Sequence, residues 1–599
     1  MNNIFFRSFS KIIRNTYYNI KNNFMILIIV QLCYLYIPMV TEIYTNDLID
    51  MSMKYAKLTE ITQENFMKIL TSPLSMLFLL AWILIIYIYV LLEIVAVYVI
   101  LDSSINGERL SIGKLFKKIL HNLVKLFNIR NIGIVIFLLL SNILSYVNLG
   151  AQFIDKVQIP EFVIDWIYSN EFFSILYTGV KIIATIISFL SLFTFYEMVT
   201  NERSILRALK NSCKIIWKNK LRSIIYLGIL WIAILIINSI SFFVIMSLSY
   251  YLNFIFENKA PAESILLNTK ASFELYLPVI MRVIQYSFIV GIYCVFKNIK
   301  VQKIKNSRSV KNIIKAIVLV PIICLMFGMY IDYNIGFPMN ENRTPIIAAH
   351  RAGGGIMSPE NSLKALKNTV SSGIAKVVEI DVQLTKDNRV VLLHDDDLKR
   401  VIGIDLKPEE LTLEEIQSYK TKDGFGNFTE EPIPTLDDFI KNSKDIKLMI
   451  EIKGPENRRI MLINKVLELI EQNKFENNTI IASMRKEDLK YVKKYNPNLQ
   501  TCFITAVFYS NYFSLDYIDI YSVEATFASM RLRRLAHLEG KQIYYWTINQ
   551  SFNIKRILDY KPDGIITDNV YLVQFVISSR LETVPFQNDI INYFINKSA

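Results

Sequence analysis

The stretch EIDVQLTKDNRVVLLHD, residues 379–395, decides the reading of this chain. A short apolar run carries two carboxylates, Glu379 and Asp381, and a second apolar run closes on His394. Three other stretches have a similar form: HRAGGGIMSPENS from His350, EIKG from Glu451, and DGIITD ending at Asp568. Each places a His, a carboxylate or a Lys at the end of an apolar strand, which is how a parallel barrel gathers catalytic groups at one rim. The chain has four histidines, and His350 and His394 both fall in these stretches.

Around them, from Ile346 onward, β-rich runs alternate with helical patterns. IIAAH precedes SLKALKNTVSSG, KLMIEIKG precedes RRIMLINKVLELIEQN, TIIASM precedes KEDLKYVKKY, and the series continues to DGIITD. Such repetition over about 250 residues predicts a closed parallel (β/α)8 TIM barrel, with a doubly wound open sheet as the alternative. Cys502 is the one cysteine of the five in this half, so no disulfide can form within it.

Upstream the composition changes. Of the whole chain, 52% is hydrophobic, and the excess lies before about Tyr330. Apolar runs long enough to cross a bilayer extend over Phe24–Val40, Leu74–Leu101, Ile132–Phe153, Phe173–Val199, Ile224–Phe254, Leu277–Phe296 and Ala316–Tyr330, about seven spans. The N-terminus has the basic start of a signal peptide but no small-residue cleavage site after Val40, so it reads as a retained first span. The expected division is a multispan α-helical membrane domain over 1–335, a linker over 336–345, the barrel over 346–582 and a tail over 583–599.

The net charge of +13 does not point to nucleic acid, because the basic residues sit between apolar runs rather than on one surface. Alternate segments hold roughly two dozen Lys and Arg against about three acids, and the other loops are net acidic. The basic set is therefore expected in the cytoplasm, as amphipathic helices on the anionic leaflet or as plain topology signals. Seven crossings then put the barrel outside the cell. Few ionisable residues stand within spans (Glu93, Lys181, Glu197, Arg282), which argues against an ion-coupled carrier.

Glu379 and Asp381 are two residues apart on one strand and share a face. Buried together they need a cation, and Glu451 at the end of the following strand completes an all-oxygen set suited to Mg²⁺ or Ca²⁺. Structural pairing of these acids with Lys453 and Arg351 is the alternative. Two histidines beside a metal ion and two cationic side chains suit an anionic tetrahedral substrate, so the expected chemistry is phosphodiester hydrolysis. His121 and His537 are expected at the surface.

These residues resemble the glycerophosphodiester phosphodiesterases, a TIM-barrel family. The likeness runs through His350-Arg351, Pro359-Glu360-Asn361, Glu379-x-Asp381, His394-Asp395 with Leu398 and Arg400, Pro434-Thr435-Leu436, Glu451-x-Lys453, Trp546-Thr547-x-Asn549 and Asp563-Gly564 with Thr567-Asp568. The layout of the first half is similar to the membrane domain of some bacterial members. The resemblance implies His350 and His394 as the acid/base pair and Glu379, Asp381 and Glu451 as metal ligands. It implies Arg351 and Lys453 as phosphate holders, Glu360 as a further ligand or orienting group, and Trp546 at the glycerol pocket. The long glycine run Gly353–Gly355, Met357 and Met484 depart from the usual pattern and bear on substrate preference.

The expected function is a membrane-anchored hydrolase that splits glycerophosphodiesters, lipid head groups or polyglycerolphosphate into glycerol 3-phosphate and an alcohol. A lipid-handling or partner-docking membrane module with an accessory barrel is the alternative, and a His394 variant separates the two. The expected partners are the lipid bilayer and the diester substrate.

Overall fold

A computed structural model of the chain describes all residues except 1, 63, 128–130, 132, 134–136, 138–158, 202–203, 256–258, 303–343, 355–357, 444–445, 511–512 and 582–599. Among the described residues, four helices are long and apolar enough to cross a membrane: Pro73–Ile105, Glu171–Asn201, Lys220–Ser241 and Leu277–Phe296. The expected span Phe24–Val40 lies within a long helix, Asn2–Tyr55, that packs against Pro73–Ile105. The expected spans Ile132–Phe153 and Ala316–Tyr330 fall almost wholly outside the described residues.

Sequence pattern accounts for these helices. From Leu74 to Leu92 there is no charged side chain, and Pro73 opens the helix at a position where its missing N–H costs nothing. Glu197 is fully buried and satisfied: Tyr293 Oη donates to it at 2.6 Å and Asn201 Nδ2 at 2.9 Å. It is an interhelical polar contact. Two shorter basic helices, Ile112–Leu126 and Ile205–Lys218, are amphipathic as expected. In the first, Ile112, Phe116, Leu120 and Val124 form one exposed stripe at four-residue spacing, and Leu115 and Leu126 are buried.

The second half is a closed barrel. Its strands are β2 (Ile346–Ala349), β3 (Val377–Leu384), β5 (Lys447–Ile452), β6 (Thr479–Ser483), β7 (Gln500–Thr505), β9 (Ile520–Glu524), β10 (Gln542–Trp546) and β11 (Gly564–Thr567). All eight neighbouring pairs are parallel, and the β2–β3 pairing closes the ring. That closure excludes the open sheet. Both faces of each strand are covered, which is why the strands read as near-continuous apolar runs. Outward residues such as Val378, Ile450, Phe503 and Tyr545 pack under the helices. Inward ones such as Ala348, Met449, Ala482, Cys502 and Tyr544 fill the barrel.

The run ending at His394 is not a barrel strand. It forms β4 (Val390–Leu392), antiparallel to β3, folded back over the mouth as a hairpin. An excursion from Asp395 to Pro434 follows, with its own small core of Leu398, Val401, Ile402, Ile416 and Ile433. Two further short strands pair outside the barrel: β1 (Glu60–Ile61), between the first two long helices, lies antiparallel on β8 (Tyr509–Ser510), after β7.

His537 is partly exposed, in keeping with the expected surface position, and it also has a partner. Its Nε2 lies 2.8 Å from Asp563 Oδ2, and the side chain is 30% exposed. Asp563 also accepts the backbone N–H of Ile543 at 2.8 Å, so the pair ties a helix to the N-terminal end of β11.

Candidate active site

His350 follows the last residue of β2. Ala349 is in register with Thr567 of β11 and Val378 of β3, so the imidazole emerges between Asp568 and Glu379. Its Nδ1 lies 2.6 Å from Asp568 Oδ1. Asn549 holds Asp568 in turn: its Nδ2 donates at 2.5 Å, and its Oδ1 accepts the Asp568 backbone N–H at 2.9 Å. A carboxylate on Nδ1 fixes the tautomer and leaves Nε2 for chemistry. Burial would lower the His350 pKa, but the Asp568 carboxylate outweighs it and the pKa is raised above the ordinary value.

The chain then turns sharply. Arg351 and Ala352 have φ of 48° and 66°, a left-handed region that L residues enter rarely. The turn is held from three sides. The Arg351 N–H donates to Glu379 Oε2 at 2.8 Å, Thr369 Oγ1 donates to the Ala352 carbonyl at 2.7 Å, and the Asn361 N–H donates to the Arg351 carbonyl at 2.9 Å. A Cβ on Gly354 would stand 2.5 Å from Glu360 Cα and from the Pro359 carbonyl oxygen, so only glycine lets this turn lie against Pro359–Asn361. The departures at Gly355 and Met357 lie outside the described residues.

Glu379 and Asp381 point inward from β3 and Glu451 from β5, where it is directly opposite Asp381. All three are buried, and each offers an oxygen within 4.8 Å of the others. Asn361 Nδ2 donates to Asp381 Oδ2 at 3.0 Å, but Asp381 Oδ1 is buried with no hydrogen-bond donor. The alternative pairing is partly realised. Lys453 Nζ lies 2.8 Å from Glu451 Oε1 and 3.6 Å from Asp381 Oδ1, and Arg351 Nε lies 3.9 Å from Asp381 Oδ2.

Those two cations do not balance three carboxylates, because Arg351 is shared with Glu360 at 3.1 Å. The deficit appears on Glu379: burial, then the neighbouring Asp381 charge, pushes its pKa up to about 8. Asp381 moves the other way; burial opposes its ionisation, but His394, Lys453 and Arg351 together hold its pKa well below the carboxylate range. An orphaned inward oxygen, three converging carboxylates and an unmet negative charge fit a hard divalent cation.

His394 comes off the β4 hairpin. Its Nδ1 lies 2.9 Å from Asp395 Oδ1, and Arg400 holds Asp395 through Nε at 2.6 Å and Nη2 at 3.0 Å. The same guanidinium donates to Glu360 at 2.8 and 2.6 Å. Glu360 thus orients Arg351 and Arg400. Burial would raise its pKa, but the two guanidiniums lower it. One chain of charges, Asp395–Arg400–Glu360–Arg351, links the His394 side of the mouth to the carboxylate trio.

Trp546 is half-buried on the wall, its Nε1 donating to the Ser522 carbonyl at 3.0 Å. Met484 packs against the same inner barrel cluster. Sequence reasoning put Asp568 at the rim without a partner and gave no role to Asn549, Asp395, Arg400 or Asn361, although each lies in a quoted motif. The available signal was adjacency: a carboxylate directly after His394, and another directly after the last barrel strand.

Both halves of the chain are similar to known proteins. Residues 350–572 match the glycerophosphoryl diester phosphodiesterase family, and residues 5–333 match the membrane domain of glycerophosphoryl diester phosphodiesterase. A glycerophosphodiester phosphodiesterase of Caldanaerobacter subterraneus is 30% identical over 230 residues, covering 37% of this chain and 94% of the relative. Lysophospholipase D GDPD3 of Homo sapiens is 24% identical over 264 residues, covering 37% and 81%. An Oleispira antarctica phosphodiesterase, solved with the product sn-glycerol-3-phosphate, is 23% identical with a TM-score of 0.36, covering 39% of this chain and 97% of that one. Both halves of the chain are thus accounted for by one protein type. The chain belongs to the glycerophosphoryl diester phosphodiesterase family, in the form that carries an N-terminal membrane domain, and is a phosphoric diester hydrolase.

Proposed function

We propose that the enzyme hydrolyses glycerophosphodiesters to glycerol 3-phosphate and an alcohol on the extracellular face of the cell membrane. The observation that carries this is the convergence, on one rim, of two Asp-held histidines with a buried trio of carboxylates flanked by Arg351 and Lys453. A Mg²⁺ or Ca²⁺ ion held by Glu379, Asp381 and Glu451 would offset the negative charge that builds on the phosphoryl oxygens. Arg351 and Lys453 hold the phosphate and keep it in line for attack.

One imidazole Nε2 takes the proton of the attacking hydroxyl as the other gives a proton to the leaving oxygen. Asp568 favours the protonated form of His350, which suits His350 to give a proton to the leaving oxygen. Trp546 lines the glycerol side. The proposed boundaries are 1–335 for the membrane domain, 336–345 for the linker, 346–582 for the barrel and 583–599 for the tail.

The outward placement is supported without a full span count. The connection that carries β1 pairs with the barrel, and a single span, Pro73–Ile105, separates it from the basic helix Ile112–Leu126. With that helix in the cytoplasm, the barrel is outside.

The test is release of glycerol 3-phosphate from glycerophosphocholine by the purified full chain in detergent, with and without EDTA, beside Glu379→Ala. Release that EDTA abolishes and the variant lacks is expected. Undiminished release under EDTA, or from the variant, would overturn the reading.

A further inference from the structure

The β1–β8 contact joins the membrane domain to the barrel at a particular place. Glu60 stands opposite Ser510 and Ile61 opposite Tyr509. Glu60 and Thr62 are buried there, and the Glu60 carboxylate pairs with Lys486. Tyr509 Oη donates to Asp50, near the end of helix Asn2–Tyr55, at 3.1 Å, and the Arg531 guanidinium lies 5.6 Å from the Tyr509 ring.

The barrel residues in this contact share a position. Lys486 follows β6 by three residues, Tyr509 follows β7, and Arg531 lies in the helix after β9. All stand beyond the C-terminal ends of their strands, the end at which His350, Glu451 and Asp568 stand. Next to β1, Phe66, Met67, Leu70, Leu74 and Leu77 make an exposed apolar run that leads into the span Pro73–Ile105. In a membrane-spanning chain that run is covered by the bilayer interface.

We propose that segment 58–62 is a docking strap beside the catalytic rim, outside the site itself, and holds the barrel mouth-down on the bilayer, so that the site takes a glycerophosphodiester carried by a lipid of the same membrane. The chemistry rests on the diesterase reading above; the docking does not. The chain enters the barrel at Ile346, at the opposite end. Residues 331–345 can reach about 50 Å when extended, against roughly 25 Å for the longest barrel strand.

The test uses the full chain in proteoliposomes and reads choline release from two probes: acyl lysophosphatidylcholine in the bilayer and soluble glycerophosphocholine. Glu60→Lys faces Lys486 with a like charge and is expected to slow the bilayer probe about tenfold while leaving the soluble probe within about twofold. The exchange Glu60→Lys with Lys486→Glu is expected to restore the rate. Equal loss on both probes, or loss on neither, overturns the proposal. Independently, Ile61→Cys with Tyr509→Cys is expected to form a disulfide on oxidation in the membrane, and failure to form it in the folded chain overturns the docking. A disulfide together with no cleavage of either probe would leave the docking standing and remove the diesterase reading.

Discussion

The two ends of β11 carry the same chemical pair in different settings. At its N-terminal end Asp563 holds His537; at its C-terminal end Asp568 holds His350. The first pair joins a helix to the barrel floor, and the same Asp563 oxygen also accepts the Ile543 backbone N–H. The second faces three carboxylates and two further cations across the mouth, and the group next to it, Asn549, holds Asp568 and its neighbour Thr567. A His–Asp hydrogen bond is therefore not itself a sign of catalysis. What distinguishes the mouth is the convergence of unbalanced charge, and parallel barrels place such convergence at the C-terminal rim.

Breaking the mouth should have the largest effect. His350→Ala and His394→Ala are each expected to lower kcat by about 10²- to 10⁴-fold with little change in thermal stability, measured by glycerol 3-phosphate release and by the unfolding midpoint in detergent. Removing the support of a histidine should cost less. Asp568→Asn is expected to lower kcat/KM roughly 10- to 100-fold, the value of a charge-assisted hydrogen bond. The pH profile gives the sign: without the Asp568 anion, burial lowers the His350 pKa, so the alkaline limb of the rate profile should move to lower pH.

The carboxylate trio sharpens the contrast from another side. In the cation-free site Glu379 holds its proton up to about pH 8, and binding a divalent cation must displace it. Affinity for Mg²⁺ or Ca²⁺, followed by calorimetry, should therefore rise with pH by up to about tenfold per unit and level off above about 8. The smallest effect belongs to the floor. His537→Ala should lower stability by about 1 kcal/mol, because the pair is partly exposed, and leave kcat/KM of the folded enzyme unchanged.

Much of this was legible in the sequence. The eight barrel strands were readable because strands covered on both faces become uninterrupted apolar runs, and Glu379 and Asp381 could be put on one face because strand periodicity is two. What the sequence hid was non-local. The apolar run before His394 has the composition of a barrel strand, and only its pairing with Val382–Leu384 makes it a hairpin folded over the mouth. Arg400 and Glu360 are forty residues apart and meet only because the excursion after β4 returns over the mouth. The partner of His537 was hidden because it lies on another element, 26 residues away. The docking of β1 on β8 joins residues some 450 apart, each in a two-residue strand too short to leave a periodic signal.

The most direct measurement is a paired one on the two ends of β11: Asp568→Asn and Asp563→Asn in the purified full chain, each assayed for kcat/KM on glycerophosphocholine and for its unfolding midpoint. The account predicts that Asp568→Asn loses activity at an unchanged midpoint, and that Asp563→Asn lowers the midpoint at unchanged activity per folded molecule. The opposite pattern, or equal losses at both ends, would contradict the assignment of the catalytic mouth.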